Sequence, residues 1–97
     1  MRRPSRLADA EIAPRLAELA GWSRAGESIT KTFVFAGFPE AVAFVAQLVE
    51  PAERLEHHPD VDLRYNKVIV SLSTHDQGGL TASDFILAAE IEKAARG

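Results

Sequence analysis

The sequence contains no cysteine, which removes disulfides, thiolate nucleophiles and zinc-thiolate sites together and fits a reducing cytoplasm. It also lacks a run of about eighteen apolar residues, the length a membrane-spanning helix requires. The longest candidate, Ala41 to Val49, has Gln47 inside it. Met1-Arg2-Arg3 is followed by Asp9, Glu11 and Arg15 where the apolar stretch of a secretion signal would have to lie, so no such signal is expected. Charge of one sign is scarce as well. Eleven Lys and Arg against fourteen Asp and Glu leave −3, which gives no footing for direct nucleic-acid binding or an anionic membrane. Arg2, Arg3 and Arg6 form a basic cluster that reads as a solvated tail over residues 1–6. Gly78 and Gly79 are not followed by Lys-Ser or Lys-Thr, and no serine sits in a nucleophile elbow, so neither a phosphate cradle nor covalent hydrolysis is indicated.

What is present is the balance of a globular chain: 97 residues, 46% hydrophobic and 26% charged. That is enough for one packed core and too short for two; the expected domain covers residues 7–97. Leu7, Ile12, Leu16 and Leu19 fall near helical spacing ahead of Gly21, predicting a helix from about Ala8 to Ala20 that Pro14 should bend or delay. Trp22-Ser23-Arg24 and Ile29 to Phe35 read as two strands joined through Ala25-Gly26-Glu27. Ile29, Phe33 and Phe35 share a face with Lys31, which suggests a strand partly open to solvent.

Phe38, Val42, Val45, Leu48 and Val49 repeat at helical intervals, predicting a helix from Phe38 to about Leu55 that Pro51 should bend or end near Glu50. Val61, Leu63 and Tyr65 alternate, Asn66-Lys67 can turn, and Val68, Val70 and Leu72 alternate on the way back, a second hairpin. After His75 to Gly79, Thr81 and Asp84 form a capping pattern ahead of Phe85, Ile86, Ala89 and Ile91, opening a last helix that runs to about Ala95. The order is α-β-β-α-β-β-α. Hairpins this short exclude parallel crossovers, so the expected fold is α+β, a four-stranded antiparallel sheet with helices on one face.

His57, His58 and His75 lie within nineteen residues of one another, the two neighbours at the junction of the long helix and the second hairpin. Imidazoles exchange protons near neutral pH, and nearby carboxylates can hold a tautomer or stabilise the imidazolium. Glu53 and Glu56 precede the pair and Asp84 opens the last helix. Each has a purely structural reading too: His57-His58-Pro59 as a polar corner, Asp84 as a helix-capping carboxylate, Glu53 and Glu56 as solvated helix-end groups. Adjacent helical residues point about 100° apart, so His57 and His58 could share a metal ion only across irregular backbone. With the helical two-His zinc motif absent, no metal is expected.

The stretch Glu53-Arg54-Leu55-Glu56-His57-His58-Pro59, then Tyr65-Asn66-Lys67-Val68, Leu72-Ser73-Thr74-His75 and Gly79-Leu80-Thr81 before Asp84 resembles the pterin-4a-carbinolamine dehydratase family. The similarity extends over most of the chain, including the Gly21-Trp22 corner. It implies the same α-β-β-α-β-β-α order, and dehydration of 4a-hydroxytetrahydropterin to quinonoid dihydropterin and water, in tetrahydrobiopterin recycling, without cofactor or metal. By that resemblance His57 and His75 are the acid-base pair, His58 holds or orients the pterin, and Glu56, Ser73, Thr74 and Asp76 line its pocket. Glu53 and Asp84 are supporting carboxylates. Val61 stands where some family members carry Trp, which leaves one wall of the pocket entrance open. The resemblance also implies homodimers or homotetramers, to which Phe33, Phe35 and the apolar positions of the second helix could contribute, and a binding-only role in dimerisation or assembly with a protein partner as the alternative function.

Overall fold

Pairing between residues far apart in sequence sets the frame of the molecule, a computed structural model that describes residues 5–97. Strands β1 (Ser23–Ala25), β2 (Ser28–Val34), β3 (Asp60–Arg64) and β4 (Lys67–Leu72) form one antiparallel sheet in the order β1-β2-β4-β3. The central ladder runs from Ile29↔Leu72 to Val34↔Lys67. Helices α1 (Asp9–Ala17), α2 (Phe38–Gln47), α3 (Val49–Leu55) and α4 (Ala82–Arg96) complete the chain. Ile29 and Phe33 on β2 and Val68, Val70 and Leu72 on β4 are buried on one face of the sheet beneath Phe44, Leu48, Leu87 and Ile91. Thr32 on the opposite face is exposed, as alternation requires. The expected α+β order therefore holds, with the central helix in two segments. No helix among the described residues is long and apolar enough to cross a membrane.

The break in the central helix falls at Leu48 rather than near Glu50. A proline ring collides with the carbonyl four residues back, and for Pro51 that carbonyl belongs to Gln47, the last residue of α2. Leu48 closes α2 and opens α3, its carbonyl accepting from the Ala52 amide at 3.1 Å, so Pro51 sits in a first turn where no N–H is needed. Helix α1 ends at Ala17, short of Ala20, because the chain tightens into three-residue turns in which Glu18 and Leu19 bond back to Arg15 and Leu16.

The first hairpin turn is one residue shorter than the connection the sequence suggests, and the second is shifted by one. In the first, Ala25 pairs with Ser28, leaving Gly26-Glu27 as the turn with Gly26 at φ 63°. In the second, Arg64 pairs with Lys67, so Tyr65-Asn66 turns, not Asn66-Lys67. Asn66 is held there by Phe35: the Phe35 amide donates to the Asn66 carbonyl at 2.8 Å, and the Asn66 side chain returns a bond to the Phe35 carbonyl at 3.0 Å. Lys31, expected on a strand partly open to solvent, is half-buried. Its Nζ bonds Glu92 at 2.7 Å and the Ala20 carbonyl at 2.9 Å, and lies 4.8 Å from the centre of the Phe33 ring. Of the basic tail, Arg2 and Arg3 lie outside the described residues, while Arg6 is paired with Glu27.

Candidate acid-base site

Glu56 ends α3 in the left-handed conformation, φ 51° and ψ 42°. The His57 amide reaches back to the Ala52 carbonyl at 3.0 Å and the Glu56 amide to Glu53 at 3.2 Å, the paired bonds that close a helix before the chain reverses. This reversal separates the two neighbouring histidines. His57 turns inward and is 9% exposed; His58 turns outward, its ring bonded to the equally exposed Glu53.

Inside, the His57 Nε2 lies 2.6 Å from Oδ1 of Asp84, which is fully buried. The other carboxylate oxygen accepts from the Thr74 hydroxyl at 2.8 Å and from the Thr81 amide at 3.0 Å. Thr74 and Thr81 hydroxyls are 2.8 Å apart, and the Thr81 hydroxyl accepts from the Ser83 amide at 3.2 Å. A hydroxyl has one proton to give. Thr74 gives its proton to Asp84, so Thr81 donates to Thr74, and every donor in the chain points toward the carboxylate. With two donors already filling the other oxygen of Asp84, Oδ1 is assigned as the acceptor from the ring, which puts the His57 proton on Nε2 and leaves Nδ1 as the ring nitrogen able to take or give a proton elsewhere. The capping role of Asp84 and its link to a histidine thus coexist: as third residue of α4 it bonds the Thr81 amide, and from the same position it reaches His57.

His75 follows Thr74 directly and opens a short 3-10 turn, His75–Gln77, where it is exposed. Asp76, on the same turn, is exposed as well. The turn is tied at its base by Thr74 and Gly79, whose amides donate to each other's carbonyls at 3.1 and 3.3 Å. The residues brought together by bonds are therefore His57, Asp84 and Thr74, with His75 one peptide further on. Ser73 is half-buried and donates to the Glu27 carbonyl at 2.7 Å. Glu56 is exposed, and His58 and Glu53 form their own pair on the outside. Val61 pairs with Val70 and is 38% exposed at the sheet edge. Thr81 is the member of the network that sequence reasoning assigned to capping alone; the Thr81-to-Asp84 spacing carried the signal, and its link to Thr74 is a tertiary contact. Among the described residues no three of His, Asp and Glu come together as a metal site.

This arrangement can hold one imidazole in a fixed tautomer beside a loop carrying a second. Comparison with known proteins points the same way. The family model described as pterin 4 alpha carbinolamine dehydratase matches residues 5–94. A Roseiflexus sp. (strain RS-1) protein provisionally named pterin-4-alpha-carbinolamine dehydratase is 53% identical over 92% of this chain and 96% of its own. A crystal structure of a transcriptional coactivator/pterin dehydratase from Brucella melitensis superposes with a TM-score of 0.90 at 38% identity, covering 94% of this chain and 99% of the other. A pterin dehydratase-like protein identified as a RuBisCO assembly factor in the alpha-carboxysome shares the fold alone, with a TM-score of 0.66 at 22% identity over 77% of this chain and 89% of its own.

Proposed function

The chain belongs to the pterin 4 alpha carbinolamine dehydratase family, and from that membership we propose that it is an active hydro-lyase, converting 4a-hydroxytetrahydropterin into quinonoid dihydropterin and water. The substrate is a carbinolamine. A ring-nitrogen lone pair expels the hydroxyl, an acid protonates the departing oxygen, and a base removes a ring proton, so one water leaves and no electrons are transferred to an outside acceptor. Two proton-transfer groups suffice, and each typically contributes ~100- to ~10,000-fold. His57 and His75 fill these roles in the proposal. His58 holds or orients the ring, and Asp84 fixes the His57 tautomer so that Nδ1 faces the reaction. Glu53 supports His58, to which it is bonded. Because the Thr74 hydroxyl is engaged by Asp84 and Thr81 and its main chain by Gln77 and Gly79, hydrogen bonding to the pterin edge falls mainly to Glu56, Asp76 and the main chain of Ser73.

The observation that carries this reading is the directed hydrogen-bond chain ending on the buried His57–Asp84 pair. A purely capping carboxylate has no need of a histidine at 2.6 Å. Tetrahydrobiopterin recycling in the cytoplasm is the proposed setting, and self-association into a homodimer or homotetramer the proposed state. A second reading, a binding-only assembly or dimerisation factor, is favoured by one feature: Phe38, Val42 and Val49 form an exposed apolar stripe along α2 and α3, 41% to 61% accessible.

A coupled assay with chemically generated carbinolamine separates the two. Turnover well above the spontaneous rate supports the dehydratase, whereas none, alongside a stable partner complex, supports the binding factor. His75→Ala is expected to lose ~100-fold or more in turnover with an unchanged near-UV circular dichroism spectrum. Near-normal turnover in that variant rejects the assignment of His75.

A further inference from the structure

We propose that Arg6, Leu7 and Glu27 form an external clamp that positions the loop carrying His75; its catalytic consequence rests on the dehydratase reading above, its mechanical one does not. The loop from Ser73 to Leu80 is fixed on its inner side by the bonds of Thr74 to Asp84 and Thr81. Its outer side is held by segments remote in sequence. The Leu7 amide donates to the Leu80 carbonyl at 2.8 Å. Glu27, in the turn between β1 and β2, touches both stems: its carbonyl accepts from Ser73 at 2.7 Å, and its carboxylate, paired with Arg6, lies over buried Gly79. A Cβ at Gly79 would stand 2.8 Å from both Arg6 Nε and Glu27 Oε2, so glycine is what lets the ion pair close on the loop.

The clamp is itself braced. The second Glu27 oxygen accepts from Arg24 at 3.0 Å, and Arg24 also bonds Asp9 at 2.9 Å and the Gly26 carbonyl at 2.8 Å. Four alternating charges, Arg6, Glu27, Arg24 and Asp9, thus link the N-terminal segment, the first turn of α1 and the β1–β2 hairpin around one loop. Single exposed ion pairs add little to global stability, and networks with fixed geometry are the exception. The role inferred here is placement: a displacement of an ångström in a catalytic group reduces rate far more than it reduces stability.

Gln77 and Gly79 amides both donate to the Thr74 carbonyl, at 3.0 and 3.3 Å, so their hydrogen exchange reports the closed loop without any substrate. In Arg6→Ala, exchange at these two amides is expected to rise about tenfold while Leu87 and Ala88 in α4 keep wild-type rates. The same variant is expected to lose about three- to tenfold in kcat with KM little changed. Arg6→Lys should restore most of both, and Gly79→Ala, whose Cβ displaces both side chains from the loop, should reproduce the loss. Unchanged loop exchange in Arg6→Ala overturns the clamp, and faster exchange with unaltered kcat overturns its positioning role. A wild-type protein without turnover rejects the dehydratase reading instead, and exchange then decides the clamp alone.

Discussion

A glutamate in left-handed backbone is the residue on which the histidine corner turns. Glu56 adopts φ 51° without being glycine, a conformation that opposes its Cβ to the next carbonyl and costs about 1 kcal/mol. Such strain persists where the side chain is needed, and here the carboxylate flanks the proposed pterin pocket. Glu56→Gly is accordingly expected to raise the unfolding free energy by about 0.5–1 kcal/mol in urea titration while lowering dehydratase turnover. A variant both less stable and fully active would show that neither strain nor carboxylate matters. The histidine pair was legible in the sequence, but its opposite orientations were not, because they depend on one residue's φ that no local propensity favours. Asp84 was legible twice over, as cap and as supporting carboxylate, since a Thr-x-x-Asp pattern announces the first role and the approach of His57 needs the folded chain.

Among the elements, α3 and α4 are tied by Arg54, which bonds Glu50 at 2.9 Å and Glu90 at 2.5 Å, with Lys93 reaching Glu90 at 2.9 Å. Lys93, then Arg54, hold the Glu90 carboxyl below its ordinary 4.5. A carboxyl depressed in the folded state stabilises above its unfolded pKa, and that contribution disappears as pH falls through the folded value. The gap in urea midpoint between wild type and Glu90→Gln should therefore be fully open above the ordinary value of 4.5 and shrink as pH falls below it. A gap independent of pH would mean that the tie is not electrostatic. Periodicity, alternation and capping made the four strands, the three helical regions and their order readable, whereas the 3-10 turn over His75–Gln77 carried no such signal. The boundaries that moved did so for tertiary reasons: the Pro51 ring acts on Gln47, displacing the break to Leu48, and Phe35 captures Asn66 from across the sheet, sliding the turn back to Tyr65.

At the scale of the whole molecule, apolar surface is left over on the helix side. Phe38, Val42 and Val49 are exposed along the central helices, and Val61 and Leu63 remain 38% and 36% accessible on the edge strand β3. The sequence could not divide core from interface. The structure buries Phe33 at 7% and packs half-buried Phe35 against Phe44, their ring centres 4.9 Å apart, which leaves the exposed apolar positions of α2 and α3 without a partner in the fold. For a chain of 97 residues, association covers apolar area that a small core cannot. Val42→Glu is expected to shift the sedimentation coefficient to a smaller species without changing the far-UV spectrum, and a wild-type protein that sediments as a monomer would remove this face from the account.

The first turn of α4 and the His57–Asp84 pair share their atoms: Thr81 and Asp84 both start the helix and complete the buried chain of donors. Fraying of that turn cannot be separated from dismantling the proposed catalytic site. Inactivation on heating should then coincide with melting of the helix start and precede loss of the sheet, so that residual activity becomes a thermometer of one helical turn.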